Sequence, residues 1–179
     1  MRYFITCFLV LLHVLSVSAQ HQKYIAPSDP LVQQSIGKWQ EMKFGLFMHW
    51  GTYSQWGIVE SWSICPEDEG WTQRRGSFSK NYTDYVKAYE NLQTTFNPVK
   101  FAPEKWVDAA KAAGMKYMIF TTKHHDGFSM FDTKETDYKI TSSKTPFSVN
   151  PRSNVTKEIF DAFRKEGFCI GAYFSKPDW

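Results

Sequence analysis

The sequence predicts an α/β fold built on a parallel sheet, and three observations lead there. Three short, almost unbroken apolar runs, Phe44–Trp50, Tyr117–Thr122 and Phe168–Phe174, have the length and content of buried strands. Helical patterns lie between them, so strands alternate with helices rather than with hairpin turns. Each run ends in polar or aromatic residues: His49 and Trp50, then His124 to Asp126, then Tyr173 and Ser175. In parallel α/β folds the functional site gathers at that end of the strands.

The elements follow in order. Met1-Arg2 is a basic start, Tyr3–Leu15 is apolar, and Val17-Ser18-Ala19 places small residues where a signal peptidase reads. Residues 1–19 are therefore expected to be a signal peptide, with a secreted or periplasmic product and no membrane span after cleavage. Residues 20–30 form a polar lead-in. Asp29-Pro30 suits a helix start, and Leu31, Val32, Ser35, Ile36 and Trp39 share a helical face. Residues 31–179 read as one domain.

Phe44–Trp50 is predicted to be a strand buried on both faces. An aromatic loop follows, in which Trp56, Trp62 and Trp71 with Glu60, Glu67, Asp68 and Glu69 do not look like core. Tyr82, Tyr85, Val86, Tyr89 and Leu92 share a helical face. Pro103 opens another helix with a stripe of Trp106, Ala109, Ala110 and Ala113, stopped by Gly114. Asn154 caps a third helix between the strands. Its stripe is Val155, Ile159, Ala162 and Phe163, and Gly167 ends it.

Composition limits function. The chain has 179 residues, enough for one domain. Net charge is +3 with no basic run longer than Arg74-Arg75, so nothing resembles a nucleic-acid footprint. Aromatics make up 17%, including seven Trp. Such rings suit either a large core or a sugar site, and composition alone favours the core. No Gly-rich phosphate loop, Gly-x-Ser-x-Gly elbow or Cys-x-x-Cys occurs, against dinucleotide, serine-hydrolase and redox chemistry. Beyond Cys7, the chain holds only Cys65 and Cys169, which are no disulfide framework. Cys169 is expected to be a buried thiol.

The sharpest chemical feature is His124-His125. Neighbours on a regular strand point to opposite faces, so both reach one ligand only where the strand ends, and Gly127 permits such a turn. Alone, the pair is as compatible with buried or surface histidines that bind nothing. His49 at the matching end of a neighbouring strand favours a shared site, where imidazoles hold adjacent hydroxyls. Glu60 and Trp62 in the first loop offer a carboxylate and an aromatic platform. Tyr173 offers a phenol, or simply a rim residue. Metal is a competing reading for His49, His124, His125 and Asp126, although no His-x-His or His-Glu-x-x-His spacing is present.

Phe-Gly-Leu-Phe-Met-His-Trp-Gly at 44–51, Phe-Asn-Pro at 96–98, Lys-His-His-Asp-Gly-Phe at 123–128 and Gly-Ala-Tyr-Phe-Ser at 171–175 resemble the α-L-fucosidases of glycoside hydrolase family 29. The resemblance runs from about Trp39 to Trp179. It implies a partial (β/α)8 (TIM-like) barrel, the first three strands with their helices. It implies retaining removal of terminal α-L-fucose from glycans, without a metal or other cofactor. His49, Glu60, Trp62, His124, His125 and Tyr173 take substrate-binding roles by the same resemblance. Many family members have Glu-Trp-Tyr together, whereas this chain has Glu60-Ser61-Trp62-Ser63.

The resemblance also implies that nucleophile and acid/base lie beyond Trp179, the nucleophile at the end of a fourth strand. A complete barrel needs about 250 residues. The expectation is therefore a truncated catalytic domain, inactive alone. The alternatives are a non-catalytic fucose- or carbohydrate-binding remnant and a metal-dependent hydrolase.

Overall fold

Alternation in the strands decides how the sheet packs. Successive side chains of a strand point to opposite faces. Leu46, Met48 and Trp50 point one way and pack, with Met118, Phe120 and Ile170, into a core whose other side is helical. Phe47 points the other way and is 49% exposed.

The structure is a computed structural model that describes residues 24–66, 72–74 and 76–179. The expected signal peptide at 1–19, and Glu67, Asp68, Glu69 and Trp71 of the aromatic loop, lie outside the described residues. No helix among the described residues is long and apolar enough to cross a membrane. The described residues fall into two units that part after Gln40, near the end of the first helix. In the first, helix α1 (Pro30–Met42) begins where expected, with the Leu31 amide donating to the Asp29 carboxylate at 2.8 Å. None of its residues is buried.

The second unit holds strand β1 (Gly45–Met48), helices α2 (Tyr82–Glu90) and α3 (Pro103–Ala112), strand β2 (Tyr117–Lys123), helix α4 (Val155–Lys165) and strand β3 (Cys169–Phe174). The strands form one parallel sheet in the order β1-β2-β3. Gly45 pairs with Tyr117 and Phe47 with Ile119; Thr121 pairs with Tyr173. The β2–β3 register slips between Thr121 and Lys123, so that Lys123 faces Phe174. A one-residue slip of this kind reverses which face the following side chains occupy.

Amphipathic helices close one face. On α4, Val155, Ile159 and Phe163 are buried, as the stripe predicts, and the Asn154 side chain accepts from the Lys157 amide at 3.4 Å. Gly167 follows in the left-handed region at φ 80°, which a Cβ would strain. On α3 the buried residues are Pro103, Val107 and Ala110. Ala109 and Ala113 are exposed, a correction to the predicted stripe. A three-to-four spacing from Pro103 includes Val107, and small alanines fit either side of a helix.

A second cluster joins the loop after β1 to α2: Tyr53, Ile64, Tyr85, Tyr89 and Leu92. Tyr53 and Ile64 of the aromatic loop are therefore core, whereas Trp56 is exposed and Glu60 and Trp62 are half-buried, as expected of those residues. Two further expectations fail for one reason. β1 is not buried on both faces, and Cys169 is exposed while Cys65 is the buried thiol. Phe47 lies on a sheet face that α3 and α4 do not cover, and Cys169 stands at the start of the edge strand β3.

The helix-covered face should dominate stability. Phe163→Ala is expected to cost about 3–5 kcal/mol, and Asn154→Ala about 1 kcal/mol through the lost helix cap. Urea unfolding should read both as lower midpoints, in that order, with unchanged slope.

Candidate functional site

The register slip at the end of β2 assembles the site. In unbroken alternation Lys123 would follow Ile119 and Thr121 onto the face that carries Phe47. With the slip, His124 takes that place. Its ring lies 5.6 Å from that of His49 and 6.0 Å from Tyr173, stacked at 24°. His49 and Tyr173 are 5.8 Å apart, and Phe47 stands 4.5 Å from His49 and 5.7 Å from Tyr173. Side chains from all three strands thus meet at one rim.

The first loop supplies the rest. Trp62 lies 6.5 Å from His124 and 5.5 Å from His125. His124 and His125 are themselves 4.7 Å apart, so the strand end does bring adjacent histidines together. The Trp179 ring stacks on His125 at 4.4 Å and approaches Trp62 at 4.7 Å. Ser61 is fully buried, with its hydroxyl 2.5 Å from Nδ1 of His124. Before it, Glu60 holds a left-handed backbone, φ 37°, in a turn closed by the Trp62 amide donating to Val59 at 3.2 Å. A non-glycine residue there is strained, and the strain sits where the loop delivers Ser61 and Trp62.

Of the six residues predicted for the site, His49, Trp62, His124, His125 and Tyr173 form one continuous ring cluster. Glu60 is half-buried in the same loop and acts electrostatically on Tyr53, whose ring is 6.2 Å from His124. Three contributors were not foreseen. Phe47 was legible in principle, two residues before His49 on one strand face. Ser61 and Trp179 carry no sequence signal, because only folding brings them to the histidines. Trp50 turns to the helices and stacks on Phe101 at 5.6 Å.

Burial keeps charge off the central ring of the cluster. Burial, helped by His125, His49 and Lys123, pushes the His124 imidazole down to about 3, so it is neutral at ordinary pH. Asp126 accepts from the Tyr89 hydroxyl at 2.7 Å and the Phe128 amide at 3.1 Å. Burial raises its carboxyl to about 6, although both hydrogen bonds and Lys123 oppose the rise. The buried Lys123 ammonium pairs with Asp178 and lies 4.7 Å over the Phe174 ring. A cavity of about 580 Å³ is lined by Lys123, Asp126, Ser129, Glu135, Tyr138 and Asp178, among others, and by none of these histidines. Among the described residues, no three His, Cys, Asp or Glu side chains are grouped to hold a metal ion.

Imidazoles and aromatic rings thus gather at the C-terminal ends of parallel strands, a chemistry that suits hydroxyl groups and C–H faces. The α-L-fucosidase family model matches residues 11–179, and the chain belongs to the α-L-fucosidase family. It is 31% identical to the tissue α-L-fucosidase of Rattus norvegicus over 94% of its own length and 37% of that protein. It thus spans about a third of the curated relative. Among solved structures it resembles α-L-fucosidase isoenzyme 1 from Paenibacillus thiaminolyticus, at 38% identity and TM-score 0.63, covering 82% of this chain and 30% of that one. It also resembles a family 29 α-L-fucosidase from Bacteroides thetaiotaomicron, trapped as a covalent intermediate with 2-fluoro-fucosyl fluoride. That match has 30% identity and TM-score 0.62, covering 86% and 31% of the two chains.

The two shifted groups give opposite pH signatures. His124 is depressed below its unfolded value of 6.5, so its contribution is present above 6.5 and lost as pH falls toward about 3. Asp126 is raised from 3.8, so its contribution is present below 3.8 and lost as pH rises through about 6. The histidine shift is larger. Unfolding free energy should therefore fall on acidification between 6.5 and 3.8. Asp126→Asn should steepen that fall and His124→Asn should lessen it, as measured by denaturant titrations across the window.

Proposed function

We propose that this chain is the fucose-gripping part of a retaining exo-α-L-fucosidase, the first three βα units of a (β/α)8 barrel, exported by the segment at 1–19. The observation that carries the reading is the meeting of His49, His124 and Tyr173 at one strand-end rim. Three strands contribute one polar ring each, and ring nitrogens and a phenol match sugar hydroxyls. Phe47, Trp62 and Trp179 give apolar faces for the C–H side of a pyranose and for the methyl group of fucose.

In the whole enzyme the reaction would run by double displacement. A carboxylate attacks the anomeric carbon while the glycosidic oxygen leaves with a proton from a second carboxylic acid. Water then gives its proton back to that second group and attacks the fucosyl ester, which releases fucose and the free carboxylate. The substrate is a fucosylated glycan or glycoconjugate. Hydrogen bonds from the histidines to the ring hydroxyls strengthen as the oxocarbenium character develops.

Of the described carboxylates beside the cluster, Asp126 and Asp178 do not suit either role. Asp126 is engaged by Tyr89 and Phe128, and Asp178 by Lys123. The two acids of a retaining site stand about 5–5.5 Å apart across the scissile bond. We assign them to residues outside this chain, so the 179-residue chain would bind fucose without turning over a fucoside.

Calorimetric titration with L-fucose, run beside an aryl α-L-fucoside assay, tests this. Binding without turnover is expected. His49→Ala and His124→Ala should each weaken binding roughly tenfold, the worth of one sugar hydrogen bond of about 1–1.5 kcal/mol. Turnover by the chain alone would overturn the assignment of the acids, and absence of binding would overturn the site.

A further inference from the structure

The two neighbouring histidines are held by hydrogen bonds of opposite chemistry. Ser61 has no exposed surface, and among the described residues its hydroxyl has one partner, Nδ1 of His124. A buried hydroxyl proton without an acceptor costs about 1–3 kcal/mol. If Nδ1 carried a proton, Ser61 could only accept from it, and the hydroxyl proton would be stranded. Ser61 therefore donates, Nδ1 accepts, and the ring proton of His124 sits on Nε2. His125 is the reverse. Its Nδ1 lies 2.9 Å from the carbonyl oxygen of Pro177, and a carbonyl can only accept, so Nδ1 carries the proton. In the neutral ring, Nε2 then has the lone pair.

We infer that Ser61 and the Pro177 carbonyl lock His124 and His125 in opposite tautomers, so that the pair offers neighbouring sugar hydroxyls one N–H donor and one lone-pair acceptor. Ser61 is a positioning residue for that recognition. The choice of sugar rests on the function proposed above, whereas the tautomers rest on hydrogen bonds within the chain.

The surroundings hold both rings in place. His125 is clamped by Trp179, which stacks on its ring at 4.4 Å while donating its amide to the His125 carbonyl at 2.9 Å. His124 is wedged among His49, Tyr173 and Trp62. It stays neutral because burial holds its pKa near about 3, so the Ser61 bond is not lost to ring protonation at ordinary pH. A sugar hydroxyl both donates and accepts. One donor and one acceptor side by side fix the direction of each O–H in an adjacent pair, whereas two identical rings leave a mismatch when both hydroxyls face them in one sense. The recognition is thus directional.

Ser61 separates Glu60 from Trp62, and the left-handed backbone at Glu60 turns the loop where the serine meets the ring.

The test reads the tautomers directly. Long-range 1H–15N correlation of the 15N-labelled chain at neutral pH, without sugar, should show His124 protonated on Nε2 and His125 on Nδ1. Ser61→Ala should shift the His124 nitrogens toward the averaged values of an unconstrained ring and leave His125 unchanged, and Ser61→Thr should restore the wild-type pattern. The same tautomer on both rings of the wild type would overturn the inference without recourse to any variant. So would a His124 signal indifferent to Ser61→Ala. Failure of L-fucose to bind, with the tautomer pattern intact, would overturn only the identity of the ligand.

Discussion

The arrangement of the site hangs on one backbone irregularity, the slip in pairing between β2 and β3 at Thr121–Lys123. A regular strand alternates strictly, so residues two apart share a face. Phe47 and His49 obey that rule on β1, and Tyr173 obeys it on β3. On β2 the same rule would put Lys123 among those rings and send His124 toward the helices. The slip exchanges them. The Lys123 ammonium instead reaches Asp178 and the Phe174 ring, which answers the need of a buried cation for a partner. His124 arrives beside His49 and Tyr173. A single displaced residue thus satisfies a charge on one side of the sheet and completes a ring cluster on the other.

The sheet itself is asymmetric in what it buries. The face toward α3 and α4 is packed with Met118, Phe120, Ile159 and Phe163, and the burial of that face supplies the hydrophobic stabilisation. The face bearing Phe47 is not closed by these helices. There the glycines allow close approach: a Cβ on Gly45 would stand 2.4 Å from the Tyr117 ring, and one on Gly171 2.9 Å from Ile119. Larger residues at these two points would push the Tyr117 ring and the Ile119 side chain off the sheet below the histidines.

Electrostatics favour a neutral ligand. His124 is kept uncharged by burial. Asp126 spends its oxygens on Tyr89 and the Phe128 amide, which ties the turn after β2 to helix α2. The cation of Lys123 is neutralised locally. What remains at the rim is a set of imidazoles, a phenol and apolar rings. That inventory fits hydroxyl groups and C–H faces better than phosphate or carboxylate, because the described residues at the rim offer no Lys or Arg to an anion.

Much of this was legible in one dimension. Apolar runs with helical stripes between them specify a parallel sheet, because each element must bury one side and the chain must cross back between strands. His49, His124, His125 and Tyr173 could be placed at strand ends by counting along those runs, and Trp62 in the loop beside them. Counting stopped where strands stop being regular. The slip that brings His124 to the rim is set by hydrogen bonding between two strands, and Cys169 and Phe47 are exposed because of which sheet face α3 and α4 cover. Ser61 and Trp179 meet the histidines across 63 residues in one case and at the far end of the chain in the other. Local pattern determined the elements and their order, since periodicity is a property of neighbours in sequence. Tertiary structure alone decided which side chains share the rim and which ring nitrogen holds the proton, since both depend on partners that are adjacent only after folding.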